Sequence, residues 1–122
     1  MKKIFILLFG IAVLAIACED DDAEIVIEQP KELCDSLDIL YSNDIAPILA
    51  DAGCSGDYCH GGGAAGYTMS DYATTKASAE DSKFLKAIKH ETGVSPMPKG
   101  RDKLTDEDIQ KIECWIQNGY RE

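Results

Sequence analysis

Apolar residues recur at three- and four-residue intervals in three segments of the chain, and each predicts a helix. The first runs over roughly Asp44 to Ala52, with Ile45, Ile48 and Leu49 on one face. Pro47 must sit in its opening turn, because deeper in the helix the ring would clash with the preceding turn. The second covers about Ala79 to Lys89, with Ser78 as its cap and Phe84, Leu85 and Ile88 as its apolar stripe. The third is the best marked: Thr105 is an N-cap, and Asp106, Glu107 and Asp108 lie against the positive end of the helix dipole. Leu104 before the cap and Ile109 after it fit a hydrophobic staple. Ile109, Ile112, Trp115 and Ile116 share a face, and Gly119 supplies a left-handed stop. No segment makes a convincing strand; Glu24 to Ile27 is short and lies in a charged stretch.

The N-terminal pattern is of another kind. Lys2 and Lys3 precede an apolar run from Ile4 to Ala17, interrupted only by Gly10. The run is shorter than the about 20 residues that span a bilayer, and it carries the marks of an export signal. Leu14-Ala-Ile-Ala-Cys18 resembles a bacterial lipobox with Cys18 as the lipidated residue. That reading places the mature chain in the bacterial cell envelope, on the outer membrane, at its periplasmic or outer face. A membrane anchor and plain secretion are the other two readings. The acidic run Glu19 to Asp22 continues to about Glu32, with Pro30 near its end, and reads as a tether. It also resembles the surface-export signal of some bacterial lipoproteins. Three parts result: residues 1–17 as signal, 18–33 as tether and 34–122 as one folded domain without an internal repeat.

Charge narrows the partners. The formal net charge is −10, and cleavage before Cys18 makes it −12, because residues 1–17 carry two lysines and no acid. That acidity argues against binding to nucleic acid or an anionic membrane through a basic face. The folded part is small enough that its own core is limited.

Cys54-Ser-Gly-Asp-Tyr-Cys59-His60 is the segment richest in chemistry. Two thiols can add across the two vinyl groups of a haem, and the adjacent histidine is then held where its imidazole can ligate iron. The usual signature has two residues between the cysteines; here there are four. Gly61 to Gly63 and Gly66 follow, around Ala64 and Ala65, and let backbone approach a flat ligand or form an ordinary loop. The chain holds five cysteines. With Cys18 lipidated and Cys54 and Cys59 on haem, Cys34 and Cys114 remain to form a disulfide. It would close a loop of about 80 residues and stabilise by roughly 4–5 kcal/mol. A plain Cys54–Cys59 disulfide is one alternative. Zinc held by Cys54, Cys59, His60 and a fourth ligand is another, disfavoured by crowding and by an oxidising compartment.

A haem that transfers electrons commonly takes methionine as its second axial ligand. Met97 lies between Pro96 and Pro98, which stiffen its loop, and that loop joins the second and third predicted helices. His90 competes and would give a lower potential; its place at the end of a helix also suits a contact with the helix dipole. Met69 is expected to pack in the core with Tyr67 and Tyr72, and an open position is the last option.

Taken in order, Tyr41 to Leu49, Cys54-x4-Cys59-His60-Gly61, Met97-Pro-Lys-Gly100, Leu104 to Ile109 and Cys114 to Gly119 resemble a class I c-type cytochrome domain of bacterial envelope lipoproteins. The similarity covers roughly residues 41 to 120. It implies a small all-α fold packed around one covalently bound haem c, with the first and last helices crossing. It further implies thioethers at Cys54 and Cys59, proximal ligation by His60 and distal ligation by Met97. The chain departs from the family in its longer spacer, so Ser55 to Tyr58 must bulge. The expected function is one-electron transfer between redox partner proteins. Lys99 and Arg101 would pair with the haem propionates or face solvent, and Trp115 would be core. A haem-based sensor and a haem-free disulfide-bonded lipoprotein are the alternatives. No carboxylate pair, nucleophile–base arrangement or phosphate loop stands out, so no enzyme is expected.

Overall fold

The computed structural model describes residues 31–122, with side chains from Leu33 onward. The signal segment, Cys18 and nearly all of the tether lie outside the described residues. Within them the chain is all-α, with no strand and no helix long and apolar enough to cross a membrane.

The elements are α1 (Lys31–Ser36), α2 (Ala46–Asp51), α3 (Tyr72–Ala79), α4 (Lys83–Ile88) and α5 (Asp106–Gln117). A π-helical turn, Tyr41–Ile45, leads directly into α2, and two short 3-10 turns, His60–Gly62 and Ala64–Gly66, lie between α2 and α3. Pro47 lies in the first turn of α2, as its missing N–H requires. Asp44 reaches back to accept the Leu40 N–H at 2.9 Å, so the helical path starts at Tyr41 rather than at Asp44.

α5 matches its sequence signals closely. The Thr105 hydroxyl accepts the Asp108 N–H at 3.1 Å, and Leu104 and Ile109 are both buried. At the other end the Gly119 N–H donates to Ile116 O at 3.1 Å and the Tyr120 N–H to Trp115 O at 2.9 Å. This is a Schellman closure with Gly119 at φ +81, and the Tyr120 ring packs edge-on against Trp115 at 5.1 Å. Ile109, Ile112, Cys114 and Trp115 are buried, and Glu113 joins them because Lys89, at the end of α4, pairs with it.

Of the segment expected as a helix over Ala79 to Lys89, Lys83–Ile88 is helical as α4, while Ala79 closes a separate helix, α3, that lies before it. α3 begins at Tyr72, capped by Asp71 in a capping box with Thr74, and ends at Ala79. Ser78 is not a cap: it is buried in the last turn of α3, and its hydroxyl donates to Thr68 O at 2.8 Å. Phe84 and Ile88 of α4 are buried and Leu85 is half-buried.

α1 arises from residues that carry no strong helical pattern. The disulfide Cys34–Cys114 ties it to α5, with both cysteines fully buried and their Cα atoms 4.8 Å apart. Asn118 adds a second tie, donating from Nδ2 to Cys34 O at 2.8 Å. Trp115 packs on Tyr41 and donates from Nε1 to Arg121 O at 2.8 Å. That same carbonyl accepts the Tyr41 N–H at 2.9 Å, so the C-terminal tail is stitched across the entry to α2. Met69 is buried in the core, with Tyr67 and Tyr72 packed against it, as expected.

Two exposed carboxylates are held below their ordinary range by hydrogen bonds. Asp71 is held below its ordinary value by the Thr74 N–H and then the Thr74 hydroxyl. Asp81 is lowered by the Lys83 N–H and then the Tyr67 hydroxyl. A carboxyl depressed in the folded state contributes stability that is present at neutral pH and lost as pH falls through the folded value. The thermal midpoint should therefore hold from neutrality to about pH 5 and decline below it. Asp71→Asn, which keeps an acceptor but does not titrate, should flatten that decline in a pH series followed by circular dichroism.

Candidate functional site

The site grows from the end of α2. Gly53 takes φ +73, its N–H donates to Ala50 O at 2.9 Å, and the Cys54 N–H donates to Leu49 O at 2.8 Å. This second Schellman closure stops α2 and fixes Cys54 directly beyond it. The chain then folds back on itself. The His60 N–H donates to Cys54 O at 2.9 Å, while Gly56 O accepts from the Cys59 N–H at 2.8 Å and the Gly61 N–H at 3.1 Å. Cys54, Cys59 and His60 thus belong to one closed loop.

Both cysteines are free thiols, so the Cys54–Cys59 disulfide is not formed. They differ in setting. Cys54 is buried and Cys59 is exposed. Burial pushes the Cys54 thiol above its ordinary value, with like-charge repulsion from Cys59 adding to the rise and Arg101 opposing it. Thiolate is the reactive form, so Cys59 should react well ahead of Cys54. Alkylation of reduced, haem-free protein near neutral pH, followed by peptide mass spectrometry, should show Cys59 modified first.

His60 is buried, 8% exposed. Its Nδ1 lies 3.1 Å from Ala64 O and 3.4 Å from Tyr67 O. Carbonyls only accept, so Nδ1 carries the hydrogen and the neutral ring presents Nε2 as its lone-pair nitrogen. The edge of Tyr67 packs against the ring at 6.1 Å. A histidine whose Nδ1–H is fixed by backbone is oriented as metal-ligating histidines are. Neither carbonyl could be found from the sequence, because a backbone acceptor leaves no side-chain signature.

Met97 sits on a separate loop and is half-buried. Its N–H donates to Ala87 O at 2.9 Å, and its carbonyl accepts from His90 Nε2 at 3.1 Å. His90, at φ +60 just past α4, therefore braces the loop that carries Met97. Arg101 joins this loop to the cysteine loop: its Nη1 donates to Ala52 O at 3.4 Å and its guanidinium lies over Gly53. Arg101 is thus placed at the C-terminal end of α2, where a cation is favoured, while Lys99 is exposed. Among the described residues no group of three or more His, Cys, Asp and Glu side chains is arranged to hold a metal ion.

In donor chemistry these side chains are the types that a covalently attached haem would use. Two reduced thiols flank a loop that ends in a histidine with a fixed tautomer, and the other two cysteines of the domain are already paired. No family model, curated protein or solved structure matches the chain.

Proposed function

We propose that residues 34–122 form a monohaem c-type cytochrome that carries single electrons at the bacterial cell envelope. The observation that supports this most is His60: it is buried, follows two free thiols, and its Nδ1–H is tied to Ala64 and Tyr67 carbonyls. Haem c, when bound, supplies an iron couple that accepts and releases one electron. Cys54 and Cys59 would hold it through thioethers, and His60 Nε2 and the Met97 sulfur would be the ligands of its iron. The backbone partners of His60 keep its ring from turning, which would hold this ligand in place when the iron changes oxidation state. Methionine ligation raises the potential relative to a second histidine. Cys18 is assigned to the lipid anchor and residues 18–33 to the tether, which leaves the domain free to meet redox partner proteins.

The test is expression of the exported chain together with cytochrome maturation proteins. The expected product stains for haem on a denaturing gel, gains the mass of one haem, and gives sharp reduced bands that carbon monoxide does not alter. A large shift with carbon monoxide would instead identify a ligand-binding module. A colourless product with the disulfide intact would leave a haem-free lipoprotein, and the proposal would be abandoned.

A further inference from the structure

We propose that Gly61 and Gly62 form a seat for the four-residue spacer and are positioning residues for haem attachment. The inference rests on the haem reading above and names what makes the longer spacer workable. Five peptide steps separate Cys54 from Cys59, enough for an extended chain to reach about 17 Å, well beyond what a two-residue spacer allows. The spacer must therefore be folded back, and the structure shows where it goes.

Ser55 O and Asp57 O lie directly against the two glycines. A Cβ at Gly61 would fall 2.2 Å from Ser55 O and 3.0 Å from Gly56 O, and a Cβ at Gly62 would fall 2.2 Å from Asp57 O. All of these contacts are backbone, so no flexible side chain can yield. The neighbouring glycines have a different reason to be there. Gly63 and Gly66 take φ +79 and +83, and an added Cβ would meet nothing closer than 3.5 Å. They make turns, whereas Gly61 and Gly62 make room. The Gly61 N–H also donates to Gly56 O, and His60, one residue earlier, closes on Cys54 O. Seat, histidine and both thiols are therefore set by one backbone arrangement. Each thiol adds its S–H across one vinyl C=C, sulfur to one carbon and hydrogen to the other. Nothing is oxidised and nothing leaves, so placement is what the protein must supply.

Gly61→Ala and Gly62→Ala should each slow haem attachment on the order of a hundredfold, the scale expected when reacting atoms are misplaced by about an ångström. Deleting Ser55 and Gly56 leaves the usual two-residue spacer, and that variant should take haem. Gly61→Ala in the deletion background should then take haem as readily as the deletion alone, because the carbonyl it would strike is gone. This combination keeps the test valid where Gly61→Ala alone fails to fold. A second readout uses the haem-free protein, in which the nitrogen-15 shift of His60 Nδ1 reports its bound hydrogen. That signal should be lost in Gly61→Ala and regained in the combination. Wild-type rates in both alanine variants, or a combination as impaired as Gly61→Ala, would overturn the seat. If the wild type takes no haem, the functional reading fails, and the His60 signal alone decides the seat.

Discussion

Replacing Cys34 or Cys114 by serine should lower the unfolding free energy by about 4–5 kcal/mol on the loop-entropy account, with haem still attached. The bond joins residues 80 apart, so it encloses the whole stretch that holds the cysteine loop and the Met97 loop. Cutting it removes the cross-link from the unfolded chain and leaves one buried hydroxyl beside one buried thiol where the disulfide had packed without exposure. Small domains are stable by about 5–15 kcal/mol in total, and one this short belongs near the lower end. The variant should therefore be marginal at room temperature. The Asn118 side-chain amide still donates from Nδ2 to the backbone carbonyl of residue 34, so α1 is loosened rather than released. Urea unfolding followed by circular dichroism measures the loss, and a haem stain after denaturation shows whether attachment survives. Loss of haem with little change in stability would mean that these two cysteines, and not Cys54 and Cys59, serve the cofactor.

What could be read in the sequence was chemistry that acts locally. Thr105, Leu104 and Gly119 each act within a turn of their own position, and α5 formed between them as expected. Pro47 located the first turn of α2 by the same logic. α1 was not legible, since Lys31 to Ser36 is held from afar by Cys114 and Asn118. α3 was missed because its buried residues are Thr75, Ser78 and Ala79, too small or polar to mark an apolar stripe. Its Asp71-x-x-Thr74 capping box was nevertheless open to reading. At the site, side chains were identifiable and their backbone partners were not. The glycine run after His60 stood out as unusual, but the carbonyls it accommodates belong to the spacer itself, a pairing that only the folded loop discloses.

Exchanging Met97 for alanine should have the second large effect, and His90 provides its control. In haem-loaded protein Met97→Ala should lower the reduction potential and make the reduced spectrum respond to carbon monoxide, because the iron would lose the sulfur proposed to ligate it. His90→Ala should act differently. His90 Nε2 donates to Met97 O, and together with the Ala87 contact this holds the loop in place. Removing one exposed hydrogen bond costs about 1 kcal/mol, which favours the open loop by roughly fivefold. His90→Ala should thus retain sharp bands and the potential, with only a small fraction reactive toward carbon monoxide. The reverse pattern, a carbon monoxide response in His90→Ala and an unchanged spectrum in Met97→Ala, would transfer the ligand role to His90. With Nε2 donating its hydrogen to Met97 O, the lone pair of the neutral ring is on Nδ1, so His90 would ligate through Nδ1 unless that contact broke on haem binding.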